Sequence, residues 1–455
     1  MTSRRELFED AARRAARYLD ELGERKVAPD AAAVRALAQL DTPLADRPTD
    51  ALEILRRLDE HGSAATMAMA GGRFFGFVIG GALPAAVAAS YLATAWDQNT
   101  GLHSITPATA ELERIALGWL VDLFGLPPTT GGGFVTGATV ANFTGLAAAR
   151  HAVLERVGWD VEGQGLFGAP PIQVVIGEEA HPTLVKALGM LGLGRSRVTA
   201  VPADAQGRMR PERLPVIRAP AIVCLQAGNV NTGAFDPAAE IVGRARQAGA
   251  WVHVDGAFGL WALASPRLRA LGAGLAEADS WATDAHKWLN VPYDSGLALC
   301  RHADAMRAAL AIRASYLPTT GERDPSDYTP ELSRRARGVE VWAALASLGR
   351  SGVAAMLERC CAHARRFARE LSAAGFEILN DVVLNQVLVA FGDDETTRRV
   401  VRGVQEDGTC WCGGSHWHGR EAMRISVCSW ATTEADVEAS LEAIIRVAAQ
   451  ARAAA

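Results

Sequence analysis

Trp251-Val252-His253-Val254-Asp255-Gly256-Ala257 is the stretch on which the reading of this chain turns. Four residues that favour a strand end in a carboxylate, and two small residues follow. Such a run fits a strand buried on both faces, with the Asp at its carboxyl end. In open α/β sheets ligands bind at that edge, outside the carboxyl ends of the strands. By itself Asp255 reads equally well as the cap of a following helix.

Outward from this stretch the same pattern recurs. Short apolar runs at Ile172 to Ile176, Ala221 to Leu225 and Leu297 to Cys300 read as further strands. Helical stretches such as Thr183 to Leu191 and Pro237 to Ala248 lie between most of them. Strands alternating with helices predict an α/β domain with a mainly parallel sheet, over residues 81–345. Residues 1–80 read as an N-terminal helical segment. Residues 346–455 read as a smaller α+β domain with strands near Gln386 to Phe391 and Met423 to Val427. It closes on a helix whose start is signalled by Thr433 and, three residues on, Asp436.

Composition narrows the class. The 455 residues are 49% hydrophobic and 21% charged, as in a globular protein with a sizeable core, and the net charge is −5. Nothing in that balance calls for nucleic acid or an anionic membrane as partner. Seven scattered cysteines are not a disulfide framework, and the charged first turns lack the apolar core of a signal peptide. The expected location is the reducing cytoplasm. Phe74 to Trp96 carries no charged residue and has the length of a membrane span, but Gly76, Gly80, Gly81 and Pro84 interrupt it. A buried loop and helix at a subunit interface is the reading adopted.

Three more segments carry chemistry. Asp284-Ala285-His286-Lys287-Trp288 sits between apolar runs, where desolvation would favour a neutral amine able to condense with an aldehyde. Alone, Lys287 reads as a surface lysine in a loop. Gly131-Gly132-Gly133-Phe134-Val135-Thr136-Gly137-Ala138-Thr139 leads into a helix from about Val140 to Val157. Glycines there let the backbone approach a phosphate, and a helix N-terminus and the Thr139 hydroxyl supply donors. The spacing is neither a Walker A motif nor a dinucleotide fingerprint. Glu179-Ala180-His181-Pro182 places a His that could stack on a flat ring. An aldehyde cofactor with a phosphate and a pyridine nitrogen, pyridoxal 5′-phosphate (PLP), uses all four segments. An Asp such as Asp255 would pair with its protonated ring nitrogen and keep the ring an electron sink.

Together the segments resemble the group II PLP-dependent amino-acid decarboxylases, the family of aromatic-L-amino-acid, histidine and glutamate decarboxylases. The likeness extends through Arg73-Phe74-Phe75-Gly76-Phe77, Thr106 to Glu113, Leu332-Ser333-Arg334-Arg335 and Arg424-Ile425-Ser426-Val427. It implies the aspartate-aminotransferase fold (PLP fold type I), built as a homodimer with active sites at the interface and the N-terminal helices wrapping the partner. It implies Lys287 as the residue forming the internal aldimine and Asp255 as the partner of the pyridine nitrogen. His181 would stack on the ring and Ala257 would pack on its other face. Ala138, Thr139, Asp284 and His286 complete the cofactor site, with Ala138, Thr139 and His286 on the phosphate. Tyr316, in Ser315-Tyr316-Leu317, matches the loop tyrosine that returns a proton to the substrate. The implied reaction is decarboxylation of an L-amino acid to its amine.

The chain departs from the family's pattern in three places. A turn of Gly228 to Gly233 replaces a Thr-rich one, Asp284-Ala285 stands for Asn-Pro, and Val78-Ile79-Gly80 is unlike the aromatic-amino-acid version. The last speaks against carrying over an aromatic substrate. Arg424 could hold a substrate carboxylate by its planar fork, or equally a structural ion pair. Cys410, Cys412, His416 and His418 have the residue types of a zinc site, but the spacing is tight, and a rigid aromatic loop at the active-site mouth is expected instead, with no metal. An aminotransferase, a carbon–carbon lyase and an inactive PLP-binding scaffold are the alternatives on the same fold.

Overall fold

The strand that ends in Asp255 lies in the middle of a seven-stranded sheet. In the computed structural model, which describes residues 2–312 and 321–453, the strands are β1 (Gly131–Val135), β2 (Gln173–Gly177), β3 (Thr199–Val201), β4 (Ala221–Gln226), β5 (Trp251–Asp255), β6 (Ser280–Asp284) and β7 (Gly296–Cys300). Their order is β1-β7-β6-β5-β4-β2-β3. The run from β6 to β3 is parallel, and β7 is antiparallel to both β6 and β1. All five residues of β5, β6 and β7 are buried. That explains their apolar sequences: helices cover both faces, so no face is left for polar alternation. Burying one Val or Leu side chain of such a strand stabilises the fold by about 1.5–3 kcal/mol.

One reversed strand sets the geometry of the edge. Residues at the carboxyl ends of β1, β2, β4, β5 and β6 emerge on the same side as the first residue of β7, Gly296, which pairs with Val135 and with Asp284. The glycine-rich segment read as a loop is largely strand β1. Only Thr136-Gly137 connects it to the helix Ala138–Glu155. Glycine is required there because backbone meets backbone: a Cβ on Gly296 would lie 2.4 Å from the Cα of Gly137.

The chain divides into two compact units. One comprises Ala82–Arg365 with Asn380–Val387. The other comprises the chain up to Gly81, Arg366–Leu379 and the stretch from Leu388 onward. Three segments were expected, with boundaries at residues 80 and 345. The difference arises because the N-terminal stretch is hydrogen-bonded into the C-terminal part: the amide of Phe75 donates to the Trp411 carbonyl, and that of Ser426 to the Phe75 carbonyl. The helical run Gly338–Ala373, broken at Gly349 by a φ of 60°, carries the boundary past residue 345. The large unit also buries Glu113 against Arg334, 2.7 Å apart, and Arg334 donates to the Phe134 carbonyl, which anchors β1.

In the other unit the strands are β8 (Glu377–Ile378), β9 (Gln386–Ala390, begun in the large unit), β10 (Gly413–Trp417) and β11 (Arg420–Ser426), in the order β10-β11-β9-β8. The helices Asp394–Asp407 and Glu434–Ala453 accompany them. The latter starts at Thr433, whose backbone N–H donates to Asp436 while its hydroxyl accepts from the Asp436 amide. Cys410 to His418, expected as a loop, contains the first strand of the β10–β11 hairpin. Its Trp411 ring stacks between Phe74 and Phe77, an arrangement that a side chain on Gly76 would block. Among the described residues no cluster of His, Cys, Asp and Glu is arranged to hold a metal, and no helix is long and apolar enough to cross a membrane.

Candidate active site

Asp284 ends β6 and organises the residues around Lys287. Its Oδ2 lies 2.9 Å from the Lys287 Nζ, and its Oδ1 accepts from the Ala138 amide at 2.6 Å, the first N–H of the glycine-loop helix. The lysine was expected among apolar groups; it stands beside a buried carboxylate instead. Asp284 is itself fixed from the backbone, since its N–H donates to Ala257 and its carbonyl accepts from the Trp261 indole. The turn that carries Lys287 is tied back through the amides of Ala285 and His286, both donating to the Ser295 carbonyl.

His286 is buried, which lowers its pKa, with Asp284 pulling in the opposite direction. Its Nδ1 accepts from the Ser295 amide, so the remaining nitrogen, Nε2, carries the proton of the neutral ring. Tyr293 stacks on it at 4.1 Å. A Cβ on Gly137 would come within 3.2 Å of this imidazole and 3.4 Å of Asp284. The bare glycine therefore lets His286 and Asp284 close in on the helix start.

At the neighbouring strand end Asp255 is only 3% exposed. Burial raises its pKa, and the charges of His181 and Lys287 pull it back, which places both side chains in its electrostatic field. Its Oδ1 accepts from the Ala257 amide at 3.2 Å and its Oδ2 from the Asn142 side chain at 3.1 Å. His181 caps the helix Pro182–Met190, its Nδ1 accepting from the Thr183 amide, and it lines a small cavity together with Asp255. The turn after β4 is closed by Asn229, whose side-chain oxygen accepts from the amides of Asn231 and Thr232.

Asp255, His181, Lys287, Asp284, His286, Ala257, Ala138 and Thr139 thus gather along one sheet edge. The set fits PLP in its chemistry. It offers an amine for an aldehyde carbon, a buried carboxylate for a ring nitrogen, and a glycine-lined helix start for a phosphate. The sequence profile described as "Pyridoxal-dependent decarboxylase conserved domain" matches residues 36–392. The chain belongs to the pyridoxal-dependent decarboxylase family. PLP is therefore its cofactor, and its enzyme class is the PLP-dependent amino-acid decarboxylases.

This family member is 27% identical over 412 residues to tryptophan decarboxylase 1 of Oryza sativa subsp. japonica, a match covering 82% of this chain and 79% of that one. It is 32% identical over 326 residues to L-2,4-diaminobutyrate decarboxylase of Rhizobium meliloti (strain 1021), covering 66% and 62%. The crystal structure of Oryza sativa TDC with PLP and tryptamine superposes with a TM-score of 0.90, covering 98% of this chain and 97% of that one at 22% identity. The fold is accordingly PLP fold type I.

Two other expected residues are Arg424 and Tyr316. Arg424 is on β11 of the other unit, partly buried, and its burial lowers its pKa. Tyr316 lies outside the described residues. Asn142, in contrast, was not singled out from the sequence. An amide in the apolar run Val140-Ala141-Asn142-Phe143 was the available signal, since a polar side chain on a buried helix face needs a partner.

Proposed function

We propose that this enzyme decarboxylates an L-amino acid to the corresponding amine at the edge formed by β5 and β6. The observation that carries the reading is that a buried carboxylate, Asp255, and an amine, Lys287, follow the ends of the adjacent strands β5 and β6 beside a glycine-lined helix start. PLP, when bound, supplies an electron sink for the bond between the substrate's Cα and its carboxylate. Lys287 would be the attachment point for the cofactor. Asp255 would hold a proton on the ring nitrogen, and His181 and Ala257 would pack against the ring. Thr139, Ala138 and His286 would hold the phosphate. Asp284 positions Lys287 and ties it to the helix start.

After carbon dioxide leaves, a proton must reach Cα, and Tyr316 is assigned to deliver it. Arg424 is assigned to the substrate carboxylate by its bidentate geometry. We further assign a homodimer in which the N-terminal helices wrap the partner, and a cytoplasmic location, with which the seven free cysteines are consistent. The similar decarboxylases act, by their names, on substrates as unlike as tryptophan and L-2,4-diaminobutyrate, so the side chain is left to experiment.

The test is to incubate the PLP-loaded protein with single L-amino acids and measure carbon dioxide and amine against keto acid. Amine and carbon dioxide in equal amounts from at least one substrate are expected. Keto acid without carbon dioxide would overturn the reading in favour of transamination. Lys287→Ala should abolish both turnover and the visible absorption of attached cofactor; persistence of that absorption would refute the role of Lys287.

A further inference from the structure

Asp255 is the last member of a buried hydrogen-bonded chain that begins at Trp251. The Trp251 indole Nε1 lies 2.9 Å from the Ser280 Oγ, and the Ser280 Oγ lies 2.8 Å from the His253 Nδ1. The His253 Nε2 lies 2.8 Å from the Asn142 Oδ1, and the Asn142 Nδ2 lies 3.1 Å from the Asp255 Oδ2. Every member is buried, and His253 and Asn142 are fully so. Both ends have a single role: an indole N–H only donates, and a carboxylate only accepts. That fixes every proton between them. Asn142 gives its amide hydrogen to Asp255 and turns its oxygen to His253, so Nε2 must donate and Nδ1 must accept from the serine hydroxyl.

The room for this chain is built into the glycine-loop helix. A Cβ on Gly145, one helical turn beyond Asn142, would lie 2.9 Å from the His253 Cε1 and 3.1 Å from its Nδ1. His253 has no access to solvent and no ionic partner among the described residues, and burial lowers its pKa to about 3. It remains neutral throughout the working range, and its tautomer is set by its two neighbours.

Resting on the assignment of Asp255 to the ring nitrogen, we propose that Ser280, His253 and Asn142 form a one-way proton-donor relay that aims the Asp255 carboxylate at the bound PLP ring. They are positioning residues and touch neither cofactor nor substrate. Successive donors in one direction polarise each other, and the last, the Asn142 amide, holds one oxygen of Asp255 while the other is held by Ala257. Without the relay, Asp255 keeps its charge but loses its fixed orientation.

Replacement of His253 tests this. His253→Phe fills the space but breaks the relay, whereas in His253→Gln the amide oxygen can accept from Ser280 and the NH2 can donate to Asn142. The dissociation constant for PLP, the pH profile of the bound cofactor's visible band, and kcat against KM are compared with those of wild type and Asp255→Asn. The buried Asn142 oxygen, an acceptor left without its donor, should weaken PLP about tenfold in His253→Phe and lower kcat with KM little changed. The visible band should acquire a pH dependence, and His253→Gln should restore all three readouts. Should His253→Phe not fold, Ser280→Ala, which removes the middle hydroxyl without adding bulk, must show the same changes to a smaller degree. If Asp255→Asn weakens PLP and alters the band but the relay variants behave as wild type, the relay is overturned. If Asp255→Asn itself changes neither, the assignment of Asp255 fails and the relay with it.

Discussion

Asp284 shows how one side chain can serve two elements. Its two oxygens engage a backbone N–H and an ammonium group, so removing it and neutralising it are separate perturbations. Asp284→Ala abandons both partners; a broken buried pair costs on the order of 3–5 kcal/mol. Asp284→Asn keeps an oxygen for the Ala138 amide, 2.6 Å away in the wild type, and loses only the charge facing Lys287. Urea unfolding of the cofactor-free protein should therefore show the alanine variant at least twice as destabilised as the asparagine variant, with PLP attachment impaired in both. Equal losses of stability would mean that the helix-start bond contributes nothing. The residue's nearness to Lys287 was legible from Asp284-Ala285-His286-Lys287. Its bond to Ala138 was not, because that contact joins positions 146 apart in sequence and depends on β7 running against its neighbours.

At the scale of elements, the start of β7 passes close over the turn at Gly137, next to the helix start proposed to hold the phosphate. Gly296→Ala would push a methyl group to 2.4–2.7 Å from the Gly137 backbone, where no side chain can rotate away. A loss of at least about 1–3 kcal/mol is expected from overpacking, with weaker PLP binding, since the helix start must shift. Gly118→Ala is the control: nothing lies within 4 Å of its added Cβ, and the helix Pro107–Leu123 should be slightly stabilised. Thermal melting separates the two, and an unchanged melting point in Gly296→Ala would contradict the packing. Strands β2, β4, β5 and β7 were legible as apolar runs to within a residue at either end, because burial on both faces leaves an uninterrupted signal. Gly131–Val135 was not read as a strand, since three glycines suppress that signal; they are present because neighbouring groups lie where Cβ atoms would stand, as with the Ala298 carbonyl 2.5 Å from a Cβ on Gly132. The N-terminal residues that join the C-terminal sheet were likewise hidden, being linked to it by backbone hydrogen bonds that leave no mark on side-chain pattern.

For the molecule as a whole, acid stability is governed partly by two buried groups with opposite signs. His253 is held neutral, so the unfolded chain takes up a proton that the folded chain refuses. Its contribution is complete above pH 6.5 and is lost as the pH falls toward about 3. Asp236 is the reverse. Its carboxyl is buried, accepting from the amides of Met209 and Gln226, and its pKa is raised to about 6. The folded chain binds that proton before the unfolded chain does, so the contribution is complete below the ordinary value of 3.8 and drains away as the pH rises through 6. Between about pH 4 and 6 the two effects oppose each other and flatten the acid limb of the stability curve. Asp236→Asn removes only the second. It should be destabilised at pH 7 for want of one acceptor, and the gap from wild type should widen by about 2 kcal/mol on going to pH 4, as a pKa displaced by about two units requires. Urea midpoints at pH 7, 5.5 and 4 measure this directly. An ordinary ion-paired aspartate would give a gap that narrows with acid, and a narrowing gap here would show that Asp236 is ionised in the folded protein down to its usual pKa.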